Sequence, residues 1–127
     1  MTRRLTVMTR NLYAGASYHP VLRASPADIP ARVAEQIAAV LASDFPARAR
    51  AIAAEIAETG PDVVGLQEAC LFELPGSGSA RMAVDHLEIL AAALREQGLA
   101  YRVASVQPGA VVEAVLAGAQ IGQQDGH

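Results

Sequence analysis

The segment from Pro61 to Ala69 constrains the fold of this chain most strongly. A Gly-Pro turn signal opens it, a β-branched apolar run follows, and Gln67 and Glu68 end it. This pattern predicts a buried strand that delivers polar side chains to the edge of a sheet. On strand alternation, Glu68 continues an apolar row and Gln67 lies on the opposite face. Burying an unpaired carboxylate is costly, so Glu68 needs a partner, a cation or water; alternatively, it is simply the first loop residue after a core strand.

An earlier segment, Leu5 to Asn11, has the composition of a second strand and also ends in a polar side chain. Helical sequence separates the two predicted strands, which span residues 5–11 and 62–68. A strand, a helical crossover and another strand predict a parallel pair with a right-handed connection. In that arrangement Asn11 and Glu68 meet at the carboxyl edge of the sheet, where open α/β sheets place their ligands.

The crossover contains two predicted helices. Residues 32–41 are alanine-rich with helical apolar spacing, and Ser43 to Pro46 interrupts them and caps a second helix. Its predicted apolar stripe consists of Phe45, Ala49, Ile52 and Ile56. Its predicted polar face consists of Arg48, Arg50, Glu55 and Glu58. Arginines on such a face are expected to be solvated, although they could also reach a phosphate.

The remaining segments are predicted as follows. Residues 12–30 form a long loop, and residues 74–79 form a flexible one. Arg81 to Gln97 is predicted to be a helix with Gly98 as its cap, and residues 101–106 to form a third strand. Residues 111–117 are predicted to be weakly helical, and the polar C-terminal end is expected to fray. The two glycines of Gly76-Ser77-Gly78 lack the context of a dinucleotide fingerprint, which disfavours an ordinary nucleotide-binding domain.

Composition limits the possible classes of protein. The chain has 127 residues, 52% of them hydrophobic and 18% charged, which fits one compact domain. A net charge of −3 argues against binding nucleic acid by bulk electrostatics, and one cysteine excludes an intramolecular disulfide. No apolar run is long enough for a membrane span, and no signal-peptide core is visible. The expected location is therefore the cytoplasm, or outside the cell if an upstream signal segment is missing.

Two segments together resemble a known family. Val-Met-Thr-Arg-Asn at residues 7–11 and Asp-Val-Val-Gly-Leu-Gln-Glu at residues 62–68 are similar to the first two motifs of the endonuclease/exonuclease/phosphatase superfamily, whose fold is that of pancreatic deoxyribonuclease. Residues 11–16, 44–48 and 98–103 also look like a bacterial branch of that family. The resemblance covers about residues 5–107 and implies the N-terminal half of a four-layer α/β sandwich.

The resemblance implies a metal-dependent phosphoesterase. Glu68 would be a direct ligand of Mg²⁺ or Mn²⁺, with water and substrate phosphate in the remaining positions. Asn11 would lie beside the cation, and Gln67 would support the site by hydrogen bonding. The substrate would be a nucleic acid or a small phosphorylated molecule.

Several parts of the family pattern do not occur in the sequence. The later motifs, an Asp-x-Asn pair, a further Asp and a terminal Asp-His, are absent, so no general base is identified. Asp85-His86 is predicted to lie on a solvated helix face, His19 on the surface and His127 at the chain end, while Cys70 is expected to be a packed or semi-exposed thiol.

Residues 108–127 do not match the family, so residues 1–107 are interpreted as its N-terminal part and the rest as a frayed tail. A truncated or frame-shifted gene, or a fragment, would give this pattern. Such a half-domain would expose a sheet face and edge and so would self-associate or seek a partner. The alternative is a non-catalytic remnant that keeps only a weak divalent-cation site.

Overall fold

The computed structural model describes residues 2–17, 19–75, 81–109, 111–116 and 119–124. These residues form a mixed α/β structure. In chain order its elements are β1 (Val7–Asn11), α1 (His19–Leu22), α2 (Ile29–Ala42), α3 (Phe45–Thr59), β2 (Val63–Gln67), β3 (Leu71–Pro75), β4 (Arg81–Asp85), α4 (His86–Glu96), β5 (Val111–Leu116) and β6 (Ala119–Gln124).

Strands β1 and β2 form a parallel pair, as predicted. The register runs from Val7 opposite Val63 to Asn11 opposite Gln67, so both strands end at the same edge. Because side chains alternate along each strand, the pair has two faces. We call the face that packs against α3 and α4 the helix side. The face that carries Val7 and Val63 is exposed, and we call it the open side.

Helix α3 begins and ends where its sequence predicts. Asp44 is the N-cap, and its carboxylate accepts a hydrogen bond from the Ala47 N–H at 3.4 Å. Gly60 closes the helix with φ of 64°, a left-handed conformation that glycine adopts readily, and its N–H donates to the Ile56 carbonyl at 2.8 Å. The predicted apolar stripe is confirmed as the buried face: Phe45, Ala49, Ile52 and Ile56.

The main core lies between α3, α4 and the helix side of the parallel pair. Leu12 and Leu90 are fully buried within it, and Met8, Val64 and Leu66 pack on it from the strands. Helix α4 ends in a Schellman motif, because the Gly98 N–H donates to the Arg95 carbonyl and the Leu99 N–H to the Leu94 carbonyl. The predicted cap at Gly98 is thereby confirmed.

The predicted helix over residues 81–97 is wrong in its first five residues. Residues 81–85 form β4, which pairs antiparallel with β3, and α4 starts only at His86. The physical reason is the Asp85 carboxylate, which accepts a hydrogen bond from the Glu88 N–H at 3.2 Å and so caps the helix. The buried residues of α4 are His86, Leu90 and Ala93.

Two predictions for the last part of the chain are also corrected. Residues 101–106 do not form the predicted strand. Residues 102–109 are exposed, and they pair with no strand among the described residues. Tyr101 anchors the start of this segment by donating its hydroxyl hydrogen to the Pro61 carbonyl. Residues 111–116 form β5 rather than a weak helix, because they pair antiparallel with β6.

Strand β6 also pairs with β3, which gives a second, antiparallel sheet in the order β4-β3-β6-β5. The predicted loop at residues 74–79 belongs to β3 in its first two residues, and residues 76–80 lie outside the described ranges. The predicted loop at residues 12–30 contains α1 and the start of α2. Within the part of the chain that the structure describes, no helix is both long and apolar enough to cross a membrane.

Candidate functional site

The candidate site lies at the carboxyl edge of the parallel pair. This edge consists of residues 11–14, which include the last residue of β1, and residues 67–68, which include the last residue of β2. The Leu12 N–H donates to the Gln67 carbonyl at 2.8 Å and extends the pairing past the last residue of β1. Asn11 ends β1, and Glu68 follows the last residue of β2. The two predicted metal-side residues therefore belong to the same edge.

The side-chain amide oxygen of Asn11 is hydrogen-bonded to the backbone. Its Oδ1 accepts a hydrogen bond from the Tyr13 N–H at 2.8 Å, which is the geometry of an Asx turn. This contact fixes the orientation of the side-chain amide. An amide oxygen has two lone pairs, so Oδ1 keeps the capacity to accept a second hydrogen bond or to face a cation.

Glu68 combines a constrained backbone with an oriented carboxylate. Its φ is 55°, a left-handed conformation that costs a residue other than glycine roughly 1–2 kcal/mol. Its Oε2 accepts a hydrogen bond from the Ala14 N–H at 3.0 Å. The chain thus holds a half-buried carboxylate in an unfavourable backbone conformation at a strand end, and such outliers cluster at functional sites.

The segment after β1 shows the same kind of strain. Tyr13 has φ of 56°. Among the described residues other than glycine, three have a positive φ: Tyr13, Asp44 and Glu68. Two of these three residues therefore follow the carboxyl ends of β1 and β2. This concentration marks the carboxyl edge as the most constrained part of the described backbone.

Arg48 holds the segment in place, which corrects the prediction that it lies on a solvated helix face. Its guanidinium donates to the Leu12 carbonyl at 2.7 Å and to the Tyr13 carbonyl at 3.2 Å. It also donates to the Ser43 carbonyl at 3.0 Å and to the Ser43 hydroxyl at 2.6 Å. Burial lowers the pKa of Arg48, and the nearby charge of Arg10 lowers it further. Arg48 therefore connects the start of α3 to the loop that carries Asn11.

His86 is buried in the core, which also corrects the prediction of a solvated histidine. Its ring stacks on Phe45 with the centroids 4.0 Å apart and meets Phe72 edge-on at 5.8 Å. Nδ1 lies 3.4 Å from the Glu68 carbonyl, an arrangement in which Nδ1–H is the donor. Burial lowers the pKa of His86, and the Glu68 carbonyl partly opposes that shift. His86 thus supports Glu68 from within the core and does not face the carboxyl edge as a base.

The other predicted residues have simpler environments. Gln67 lies opposite Asn11 on the open side, and its Nε2 donates to the Gly65 carbonyl at 3.4 Å, so its support is local. Cys70 is fully buried, which confirms a packed thiol. His19 is exposed at the start of α1, and His127 lies outside the described residues.

The chemistry of the donors fits a hard divalent cation. Glu68 and Asn11 offer carboxylate and amide oxygens, and the described residues contain no group of three or more His, Cys, Asp or Glu that could hold a metal. A site with one carboxylate suits Mg²⁺, which keeps several waters, better than Zn²⁺ or Ca²⁺, which take more protein ligands.

Comparisons with protein-family models, curated proteins and solved structures find no match to this chain. The resemblance to the endonuclease/exonuclease/phosphatase superfamily stays a prediction based on its motifs. The structure adds Arg48, Tyr13 and His86 to the residues that shape the site. For His86 a local signal was present, because it continues the apolar stripe of α4, whereas no local pattern indicated the contacts of Arg48.

Proposed function

We propose that this chain is the N-terminal part of a divalent-metal phosphoesterase of the endonuclease/exonuclease/phosphatase type. The observation that carries the proposal is the placement of Asn11 and Glu68 at one edge of a parallel pair, each tied to a backbone N–H of residues 13–14. Both side chains are oriented by the fold, as a preorganised site requires.

In this proposal Glu68 holds Mg²⁺ or Mn²⁺ through its carboxylate, and the Asn11 amide orients a phosphate oxygen of the substrate. The cation would stabilise negative charge on the phosphoryl group and on the leaving oxygen during attack by water. The Ala14 N–H fixes the Glu68 carboxylate, and Arg48 fixes the loop that supplies this N–H. These contacts cost no reorganisation when the substrate binds.

A general base is the component that the described residues do not supply at this edge. His86 is enclosed by Phe45 and Phe72, and His19 lies on the surface. Proton transfer from the attacking water typically contributes about 10²–10⁴-fold to rate, so the chain alone is expected to be slow. This observation also favours the second candidate function, a non-catalytic module that keeps only a weak divalent-cation site.

The open side of the parallel pair supports the proposal of a half-sandwich. Val7 and Val63 are 58% and 49% exposed there, although β-branched apolar residues in a sheet normally pack against another layer. A second sheet would cover them in the four-layer arrangement. Because these two valines are exposed among the described residues, we expect self-association through this face. The cytoplasmic location stays a prediction of the sequence.

Hydrolysis of bis(p-nitrophenyl) phosphate and of plasmid DNA with Mg²⁺ or Mn²⁺ tests the proposed function. We expect slow, metal-dependent turnover that Glu68→Gln abolishes. Glu58→Gln, an exposed carboxylate on α3, is the matched control and should leave the rate unchanged. Metal binding without turnover would favour the non-catalytic module, whereas turnover that survives Glu68→Gln would contradict both functions.

A further inference from the structure

A cavity of about 330 Å³ lies between the end of β1 and one flank of α3. It is lined by Arg10, Asn11, Leu12, Tyr13, Arg48, Ala51, Ile52 and Glu55. We call it the anion cleft. Its volume is at the lower end of the range for small-molecule sites, and its walls combine apolar side chains with a few charged ones, as such sites do.

Arg10 is not fully paired in this cleft. Its Nη2 lies 3.7 Å from Oε2 of Glu55, which is close enough for an ion pair and too long for a hydrogen bond. Its Nε is buried and has no hydrogen-bond partner. A buried donor without a partner is costly, so the hydrogen-bonding capacity of the Arg10 guanidinium is incompletely satisfied beside the cleft.

Arg48 contributes a second cation to the same cleft. All of its hydrogen bonds go to neutral acceptors, the carbonyls of residues 12, 13 and 43 and the Ser43 hydroxyl. Among the described residues no carboxylate lies within ion-pairing distance of it. A guanidinium has five N–H groups, so one N–H of Nη1 remains available.

The cleft therefore contains two guanidinium groups and one carboxylate, an excess of positive charge on a chain whose net charge is −3. The two arginines also repel each other, since Arg10 contributes to the lowered pKa of Arg48. A bound anion would remove this repulsion. Guanidinium groups recognise phosphate and carboxylate oxygens especially well, because their N–H groups form a planar fork.

We propose that the anion cleft binds a small molecule through an oxyanion, a phosphate or a carboxylate group, that accepts hydrogen bonds from the guanidinium groups of Arg10 and Arg48. The anion takes the place of Glu55 beside Arg10. The site needs no metal and Glu68 does not line it, although Asn11 and Arg48 belong both to the cleft and to the carboxyl edge.

Titration with inorganic phosphate at constant ionic strength and in the presence of EDTA tests this site apart from the metal edge. The arginine Nε–H signals in ¹⁵N-correlated NMR spectra report directly on Arg10 and Arg48. We expect saturable shifts of both signals, with acetate as the parallel titration for a carboxylate. Saturation by only one of the two anions would identify the oxyanion that the cleft takes.

Three variants make the titration decisive. Arg10→Gln should weaken phosphate binding by about tenfold or more, as expected for the loss of a charge-assisted pair. Glu55→Gln removes the competing carboxylate and should tighten binding several-fold, a gain that damage to the fold cannot mimic. Arg50→Gln, an exposed arginine on the same helix, should change nothing. Linear shifts that sodium chloride reproduces, or a Glu55→Gln protein that binds no more tightly, would overturn the proposal.

Discussion

The helix side and the open side of the β1–β2 pair are built from the same two strands and have opposite environments. On the helix side, Met8, Val64 and Leu66 pack against the core of α3 and α4. On the open side, Val7 and Val63 are 58% and 49% exposed. Because side chains alternate, one register of the pair fixes both outcomes at once. One face of this sheet is therefore packed, whereas the other leaves two valines exposed among the described residues.

The carboxyl edge lies where the two faces meet and differs from both. Its residues range from Leu12, which is fully buried, to Tyr13, which is 59% exposed. Glu68 and Tyr13 keep left-handed backbone conformations, and Arg48 and the Ala14 N–H hold the loop and the carboxylate. The comparison indicates that packing on the helix side stabilises the fold, whereas the strained backbone at the edge lowers stability and fixes polar groups in place.

The largest expected difference between the two faces concerns stability. Ile56→Ala removes a side chain that is 1% exposed in the core of the helix side and should lower the free energy of unfolding by about 2–5 kcal/mol. Val7→Ala, on the open side, should lower it by no more than about 1 kcal/mol, because little buried surface is lost. Urea denaturation measures both values. Equal losses would show that the open side is covered in solution.

The second effect concerns the connection between α3 and the edge. Arg48→Gln should lower the free energy of unfolding by about 1–3 kcal/mol, because the Leu12 and Tyr13 carbonyls lose their donor. It should also speed hydrogen exchange of the Ala14 amide, which Glu68 holds. Arg50→Gln, its exposed neighbour on α3, is the control and should leave both quantities unchanged. Unaltered exchange in Arg48→Gln would mean that the loop keeps its conformation without the guanidinium.

The third effect is a pH dependence of stability that arises from the buried His86. Burial lowers the pKa of His86, so between that pKa and about 6.5 the unfolded chain binds a proton that the folded chain does not. The free energy of unfolding should therefore be highest above about pH 7. It should fall as the pH drops through about 6.5, by at most about 1.4 kcal/mol per pH unit from this group.

Urea denaturation from pH 7.5 to 5.0 measures this slope. We expect His86→Leu to flatten it and His19→Gln, an exposed histidine, to keep it. A slope that survives in His86→Leu and disappears in His19→Gln would assign the proton uptake to the surface.

The smallest effect on stability is expected on the open side, where the readout is association. Val7→Thr and Val63→Thr keep a β-branched side chain and should change the free energy of unfolding by about 0.5 kcal/mol or less. They should nevertheless weaken self-association, which sedimentation velocity detects across a concentration series. If the unsubstituted protein is a monomer at every concentration, the proposed self-association is wrong.

The elements that the sequence predicted correctly depend on local signals. Asp44 and Gly60 delimit α3 through contacts within four residues, and the apolar alternation of β2 agrees with its parallel partner. The boundary inside residues 81–97 was missed, because helical periodicity continued across it. The pattern Asp-x-x-Glu at residues 85–88 is a capping signature that could have located it.

The missed features depend on distant partners. Arg48 finds its acceptors 35 and 36 residues away, and no local pattern places a guanidinium beside those carbonyls. His86 occupies the apolar stripe of α4, yet only the stacking ring of Phe45 shows that it is buried. Residues 101–106 have the composition of a strand but lie beside no described strand, and composition alone supplies no neighbour.

The most direct test of the proposed metal site is the binding of Mn²⁺ at the carboxyl edge. Electron paramagnetic resonance of free Mn²⁺, titrated against the protein, counts bound ions independently of catalysis. We expect one weak site, lost in Glu68→Gln and kept in Glu58→Gln, with little change in the free energy of unfolding of either variant, since glutamine can still accept from the Ala14 N–H. Equal Mn²⁺ binding by the wild type and Glu68→Gln would contradict the assignment of the edge as a metal site.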